Sequence, residues 1–248
     1  MASKKVTILG VPFDNFTHKE FVHTLEKRLQ AQQKTFVVTA NPEIVMYAHT
    51  HPEYADILSE ADFITPDGIG VVKASRVLRT PIKERVPGYE LMLDLLEVAD
   101  REGHRVYFLG ARQEVIEKLI ETVPVKWPGM TLAGWHHGYF DHTDENMMAQ
   151  VLSTQPDLIF VALGYPAQEQ WIHDYMKQAD KGLAMGVGGS FDVLSGTTKR
   201  APKWVRKFHV EWLYRLVKQP SRWRRMLAIP RFLGSVRVQK KGKKVNPK

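Results

Sequence analysis

At 248 residues the chain can form one α/β domain with an appendage or two small domains, and its lack of cysteine excludes disulfides and thiolate metal sites. With 44% hydrophobic and 25% charged residues it has the composition of a soluble globular protein, and no apolar run approaches the roughly 18 residues that span a bilayer. The net charge of +8 is uneven: residues 199–248 contain 17 Lys or Arg and one acid, Glu211, whereas residues 1–198 carry a balance of −8, so a basic tail suited to an anionic partner follows an acidic body.

Strand-like and helix-like segments alternate through the acidic body. The first apolar run, residues 6–9, is too short for the hydrophobic region of a signal peptide and predicts a strand, so we expect a cytoplasmic protein. Thr17 can cap the helix that follows, and Asn41 before Pro42 marks another helix start. The predicted strands are residues 6–9, 36–39, 63–65, 105–110, 131–135, 158–163 and 183–187.

Single helices separate most of these strands. Helical patterns cover residues 69–78, 89–101 and 113–122, and a further helix contains Trp171. Strands that alternate with helices predict right-handed crossovers and a mainly parallel, doubly wound α/β sheet. We place this body at residues 1–198.

From residue 199 the pattern changes to apolar residues at helical spacing among Arg and Lys, of which Trp204, Phe208 and Trp212 are typical. Basic groups interleaved with aromatic ones fit a helix at an anionic membrane surface. The alternative is a helical hairpin packed on the body with a solvated basic face. We predict a basic, amphipathic, helical appendage at residues 199–238 and a disordered basic tail at 239–248.

Asp67 ends a short apolar run and lies between Pro66 and Gly68. Pro66 restricts the backbone, while Gly68 and Gly70 permit tight turns and close backbone approach. A carboxylate at the carboxyl end of a strand lies where open α/β sheets bind their ligands. The local sequence leaves two interpretations open: a catalytic carboxylate, or an N-cap for the helix that begins near Ile69.

Polar side chains follow several predicted strands, whose carboxyl ends meet at one crevice. The residues that we place there are Thr39, Asn41, Asp67, Gln168 and Asp192. Arg85, in a loop close in sequence to Asp67, is either a phosphate ligand or a surface cation. The glycines of residues 186–189 can cradle a phosphate or form only a tight turn, and Gln168 with Glu169 can simply cap a helix.

Other kinds of site fit the sequence poorly. A dinucleotide fingerprint fails because Lys73 follows the first Gly-x-Gly pair, and Phe191 the second, where a third Gly is required. The sequence has no Gly-Lys-Ser/Thr P-loop and no Asp-x-Asp pair. The pairs His49-x-His51 and His136-His137 lack the carboxylate and third ligand of a catalytic metal site. We therefore expect no metal or cofactor, and a phosphate would be bound by Arg, backbone N–H groups and helix N-termini.

Eight stretches, taken in order, resemble the WecG/TagA/CpsF glycosyltransferase family, and most closely its TagA (TarA) branch from wall teichoic acid synthesis. The resemblance covers about residues 6–232. Ala167 departs from it, because Lys is expected there, so a contact made by that Lys would be missing. The stretches are TANPE at 39–43, DG at 67–68 with GVVKAS at 70–75, RVPG at 85–88, FLGA at 108–111, GYPAQE at 164–169, GVGGS at 186–190, RAP at 200–202 and EWLYR at 211–215.

The resemblance implies a Rossmann-like body with an appendage that meets the membrane and helps to complete the site. It implies an inverting, metal-independent transferase that moves N-acetylmannosamine (ManNAc) from UDP to O4 of GlcNAc on undecaprenyl diphosphate. The partners would be the UDP-sugar donor, the lipid-diphosphate acceptor and the anionic inner face of the cell membrane, with self-association through the body. Another UDP-sugar, such as UDP-ManNAcA or UDP-GlcNAc, stays open as the donor.

The resemblance also assigns roles to residues. Asp67 is similar to the general base that takes the proton of the acceptor hydroxyl. Thr39 and Asn41 would position the sugars, with Arg85 and Gln168 in the same pocket. Further substrate-binding candidates, the uridine side included, are Glu169, Gly110, Tyr139, Gly186, Gly188 and Asp192. The appendage arginines that would neutralise the leaving UDP or the acceptor diphosphate in place of a metal are Arg215, Arg222 and Arg225.

Two other classes of protein share some of these features. A nucleic-acid-binding protein could use the basic, aromatic tail and would give salt-dependent gel shifts. A non-catalytic sensor would bind the UDP-sugar without releasing UDP when given the lipid acceptor. Both account for fewer of the residues than a transferase does, so we expect no nucleic-acid partner.

Overall fold

The computed structural model describes residues 4–202 and 228–245, together with Val205 and Tyr214. Strands form at β1 (Lys5–Ile8), β2 (Val11–Asp14), β3 (Thr35–Ala40), β4 (Phe63–Pro66), β5 (Arg105–Gly110), β6 (Thr131–His136), β7 (Leu158–Ala162) and β8 (Leu183–Gly186). Helices form at α1 (His18–Gln30), α2 (Pro42–Thr50), α3 (Pro52–Ser59), α4 (Ile69–Val77), α5 (Gly88–Glu102), α6 (Gln113–Lys126), α7 (Glu145–Ser153), α8 (Ala167–Gln178), α9 (Ser190–Leu194) and α10 (Ala228–Val245).

The body is built on a six-stranded parallel sheet in the order β4–β3–β8–β7–β5–β6. β3 and β4 form one half of the sheet, and β5, β6 and β7 form the other, with β8 inserted between the halves. This arrangement confirms the predicted α/β, Rossmann-like, doubly wound sheet. The carboxyl ends of all six strands therefore lie along one edge.

Each face of the sheet has its own apolar core. Val38 of β3 packs with residues of α2, α3, α4 and α8 on one face. Its neighbour Val37 packs with residues of α1, α5 and α6 on the other. Successive side chains of a strand point to opposite faces, so a strand covered by helices on both sides is apolar at every position. The continuous apolar runs that predicted the strands have this cause.

The sequence did not predict β2, α3, α7 or α9. β2 pairs with β1 in an antiparallel hairpin, and the connecting residues Leu9 and Gly10 have φ angles of 50° and 92°. The carboxylate of Asp14, at the end of β2, accepts a hydrogen bond from the backbone N–H of Ile64 at 2.8 Å. This buried contact fixes the hairpin beside β4, an edge strand of the sheet.

The C-terminal helix α10 packs on the body against α2 and α4. Phe232 and Val236 are buried there, and the side-chain Oε1 of Gln239 accepts the N–H of Leu9 at 3.0 Å. Because α10 continues to Val245, the predicted disorder of residues 239–248 is wrong for residues 239–245. The tail aromatics Trp204, Phe208 and Trp212 lie outside the described residues. Within the ranges described, no helix has both the length and the apolar character needed to cross a bilayer.

Candidate active site

Thr39, Asn41 and Asp67 come together at the carboxyl edge of the sheet. β3 and β4 are neighbours in a register that pairs Thr39 with Thr65. The backbone N–H of Asp67 donates to the carbonyl of Ala40 at 3.0 Å, so the two strands leave the sheet at the same level. The predicted convergence of these three residues is thus present in the structure.

The loop of residues 79–87 brings Arg85 to Asp67. The N–H of Val86 donates to the carbonyl of Pro66 at 3.1 Å, which runs this loop back along the end of β4. Arg85 Nη2 then lies 3.6 Å from Asp67 Oδ1. The two side chains stay 21% and 30% exposed, so this ion pair lies in a crevice that solvent and ligands can reach.

The carboxylate of Asp67 faces the first turn of α5. Its Oδ2 accepts the N–H of Gly88 at 3.3 Å, and Gly88 is the first residue of that helix. The cap position of α4 belongs to Gly68. The interpretation of Asp67 as the cap of α4 is therefore wrong, and the helix whose N-terminus orients the anion is α5.

Gly88 is a site residue that sequence reasoning missed. A Cβ atom at this position would lie 2.9 Å from Cγ2 and 3.0 Å from Oγ1 of Thr39. Only glycine therefore lets α5 begin against Thr39 with its first N–H on Asp67. The signal was present in the sequence, because Gly88 ends the RVPG stretch.

Thr39 and Asn41 already have partners within the protein. Thr39 Oγ1 donates to the carbonyl of Gly186 at 2.8 Å, which links β3 to the end of β8. Asn41 Oδ1 accepts the N–H groups of Glu43 and Ile44 and so caps α2. That cap uses only the oxygen of the amide, and its orientation places the NH₂ group as the part available to a substrate.

Gln168 and Glu169 lie behind this edge, in the first turn of α8. The Oε1 atom of Gln168 accepts the N–H of Gly188 at 3.1 Å, and its side chain is almost fully buried. Glu169 has no exposed surface, and its carboxylate accepts hydrogen bonds from Tyr54 and Gln168. Burial raises the pKa of Glu169 to about 7. The structure therefore places Glu169 in the interior. The Gln168 side chain lies between it and the backbone of Gly188.

A second group of predicted residues meets at the end of β5. Gly110 has a φ of 118°, and a Cβ there would lie 2.5 Å from the backbone of Ala162. A surface cavity of about 350 Å³ opens beside it. Arg112 lines this cavity, and its Nη2 lies 3.6 Å from Asp192 Oδ1. The cavity is lined by Arg112, Gln113, Glu114, His137 and Tyr139.

Tyr139 and Asp192 are thus joined through Arg112, a second site residue that sequence reasoning missed. Arg112 is the residue before α6, a helix of 14 residues whose N-terminus faces this edge. A guanidinium beside a helix N-terminus suits an anionic ligand. Its position two residues after Gly110, at a predicted strand end, was the available signal.

Residues 6–246 match the family model of the glycosyl transferase WecG/TagA/CpsF family. This chain belongs to the WecG/TagA/CpsF family.

Similar members include three proteins that are each named N-acetylglucosaminyldiphosphoundecaprenol N-acetyl-beta-D-mannosaminyltransferase. The protein of Bacillus spizizenii is 47% identical over 217 residues, which cover 87% of this chain and 84% of the relative. That of Bacillus subtilis (strain 168) is 40% identical over 240 residues, or 96% and 93% of the two chains. That of Staphylococcus aureus (strain MW2) is 42% identical over 240 residues, or 96% and 94%. These findings confirm the resemblance that the eight stretches indicated.

In this WecG/TagA/CpsF protein the segment after the body returns to the active-site edge. Arg200, from the RAP stretch, forms an ion pair with Glu90 and lies 4.5 Å from the ring centre of Tyr89. Both partners are in the first turn of α5, next to Gly88. The appendage therefore starts beside the helix that orients Asp67. Its arginines Arg215, Arg222 and Arg225 lie outside the described residues.

The histidines noted in the sequence have packing roles. His51 stacks on Tyr47 with ring centres 3.8 Å apart, and His136 packs edge-to-face on Phe140. In the part of the chain that the structure describes, no three His, Asp or Glu side chains are grouped so that they could hold a metal ion.

Proposed function

We propose that this protein transfers ManNAc from UDP-ManNAc to O4 of GlcNAc on undecaprenyl diphosphate, with inversion at C1 and without a metal ion. The transfer forms a β-1,4 linkage in an early committed step of wall teichoic acid linkage-unit synthesis. The observation that carries this proposal is the 40–47% identity to mannosaminyltransferases over at least 84% of their length.

Asp67 is the general base of the proposed reaction. The acceptor O4 attacks C1 of ManNAc while its proton passes to the Asp67 carboxylate. The bond between C1 and the UDP oxygen breaks, and its electron pair leaves with UDP. A single displacement of this kind inverts the configuration at C1. The carboxylate suits the role because it lies in an accessible crevice and is oriented by Gly88 and Arg85.

The leaving diphosphate needs positive charge as the bond breaks, and arginines supply it. Arg112 beside the N-terminus of α6 and the cavity of about 350 Å³ fit the nucleotide part of the donor, with Tyr139 and Asp192 on the uridine side. Arg85 lies at the reacting end, next to Asp67. The appendage arginines complete this charge over the acceptor and donor diphosphates.

The appendage also holds the protein at the inner face of the cell membrane, where its lipid-linked acceptor resides. Arg231, Arg237 and Lys241 on α10 are exposed on the side away from the body. Exposed Lys and Arg attract anionic lipid by about 1 kcal/mol each. Sedimentation of the full chain with anionic vesicles, but not with zwitterionic ones, tests this part. Copies of the body associate with one another. Measuring the molar mass in solution over a range of protein concentrations tests this association.

A panel of donors tests the substrate. UDP-ManNAc, UDP-ManNAcA and UDP-GlcNAc are each supplied with lipid-linked GlcNAc, and UDP release is measured. We expect release from UDP-ManNAc that depends on the acceptor. Release of UDP from another donor alone would show that the donor sugar is not ManNAc. Binding of a UDP-sugar without release of UDP would identify a sensor instead.

A further inference from the structure

A chain of hydrogen bonds runs from the interior to the active-site edge through Glu169. The hydroxyl of Tyr54 in α3 donates to Glu169 Oε2 at 2.9 Å. Gln168 Nε2 donates to Glu169 Oε1 at 2.6 Å. The other end of the same amide, Gln168 Oε1, accepts the N–H of Gly188 at 3.1 Å. The carboxylate thus has one partner in the interior and one that reaches the site.

The Gln168 amide also packs against the end of β8. A Cβ at Gly186 would lie 2.7 Å from Gln168 Nε2, so glycine is required for this contact. The carbonyl of the same Gly186 accepts the hydroxyl of Thr39. Thr39 therefore holds the end of β8 through Gly186, and Gln168 holds the loop that follows through Gly188.

Glu169 decides which way round the Gln168 amide lies. An amide side chain can present either its oxygen or its NH₂ group in a given direction. Oε1 of Glu169 accepts from the NH₂ group, so the oxygen of the amide is left to face Gly188. The opposite orientation would place two donors together at Gly188.

We propose that Glu169 is a positioning residue for sugar transfer. It fixes the Gln168 amide, and this amide in turn fixes the backbone of the loop of residues 187–189 at the active-site edge. The activity measurement that tests this role rests on the proposed function. An apolar side chain would avoid the cost of burying a carboxylate, so packing alone does not account for an acid at this position.

The test separates the two partners of Glu169. Tyr54→Phe removes the interior partner and leaves the bond to Gln168 in place. The double variant Tyr54→Phe/Glu169→Met then differs from it only in the loss of the acceptor for Gln168. Methionine fills a similar volume and favours a helix. Because no Tyr54 hydroxyl is left without a partner, the double variant keeps the test possible if Glu169→Met alone does not fold.

We expect Tyr54→Phe to keep kcat/KM for UDP release within about twofold of the wild-type value, and the double variant to lose about tenfold more. Glu169→Gln should recover to within about threefold, because its amide oxygen still accepts Gln168 Nε2. Equal activities of Tyr54→Phe and the double variant would overturn the proposal. The proposal would also be overturned if Glu169→Gln were as impaired as Glu169→Met. A charge, rather than a hydrogen-bond acceptor, would then be required at this position.

The backbone amide of Gly188 gives a readout that does not depend on activity. We expect its ¹H–¹⁵N resonance to shift, and its hydrogen exchange to accelerate, in the double variant but not in Tyr54→Phe. If the wild type released UDP from none of the donors, the proposed function would fail, and this amide would still decide the positioning role. An unchanged Gly188 resonance in the double variant would refute that role even in an active enzyme.

Discussion

The two edges of the sheet hold their buried acids in different ways. At the amino edge, Asp157 accepts hydrogen bonds from the N–H of Arg105 at 2.9 Å and from Lys181 Nζ at 2.7 Å. Burial by itself would raise the pKa of Asp157, but these two donors outweigh it and lower the pKa. Behind the carboxyl edge, Glu169 has the neutral donors Tyr54 and Gln168, and burial raises its pKa to about 7.

The amino edge therefore serves the stability of the sheet, and the carboxyl edge serves the reaction. The amino edge neutralises its acid with a cation and a backbone donor, which fastens the starts of β5, β7 and β8 together. The carboxyl edge keeps Asp67 30% exposed, with Arg85 at 3.6 Å, where a substrate can approach. An amide in place of Asp157 should therefore affect stability, whereas an amide in place of Asp67 should affect turnover.

The largest effect is expected for Asp67→Asn. An amide cannot take the proton of the acceptor hydroxyl, so UDP release should fall about a thousandfold. The melting temperature should change little, because the amide oxygen can still accept the N–H of Gly88. Steady-state UDP release and thermal unfolding of the same preparations check both statements. Retained turnover would show that Asp67 is not the base.

Glu169 should make the protein less stable as the pH rises. Its native pKa of about 7 lies above the ordinary value near 4.5, so the unfolded chain releases this proton first. The contribution of Glu169 to the free energy of unfolding is fully present below about pH 4.5 and is lost as the pH rises through 7. The total loss is at most about 3 kcal/mol.

Urea unfolding of the wild type and of Glu169→Gln across pH 4.5 to 7.5 measures this loss. The Gln variant cannot titrate, so the difference between the two unfolding free energies should grow with pH in its favour. Parallel curves would mean that Glu169 does not carry a raised pKa.

Asp157→Asn should give the opposite pattern. It removes the charge that Lys181 and the Arg105 N–H stabilise, and should cost about 2 kcal/mol of unfolding free energy at pH 7. Because the native pKa of Asp157 is lowered, this contribution is lost as the pH falls, so the two proteins should converge in acid. Turnover should stay within about twofold of wild type. A large loss of turnover without a loss of stability would break the proposed division between the edges.

Gly88→Ala should have the smallest effect of the four. The added methyl group would meet Thr39 at 2.9 Å and displace either Thr39 or the start of α5 from Asp67, which should lower kcat/KM about tenfold. Gly234→Ala in α10 is the matched control, because nothing lies within 4 Å of its Cβ position. Equal activity of the two variants would mean that the contact with Thr39 is not needed.

The sheet and the meeting of Thr39, Asn41 and Asp67 could be predicted because they depend on local patterns. A strand covered on both faces is apolar throughout, and polar residues at its carboxyl end meet those of its neighbours. The helix that orients Asp67 could not be predicted. It depends on the path of the loop of residues 79–87, which the backbone bond of Val86 to Pro66 fixes and no local pattern specifies.

Two further elements show why the prediction was incomplete. β2 contains Pro12 and follows a turn with Leu9 at a positive φ, where glycine or asparagine would have been the usual signal. The apolar stripe of α10 has the same spacing whether it covers the body or a membrane. The burial of Phe232 and Val236 against the body is a tertiary fact that only the structure supplies.

The contact between Leu9 and Gln239 joins residues 230 positions apart. A nascent chain cannot make this contact until Gln239 has left the ribosome. α10 then covers α2 and α4, the helices that begin at Asn41 and just after Asp67. The order of synthesis therefore places the docking of α10 after the synthesis of β1 to β8 and of the residues that form the crevice.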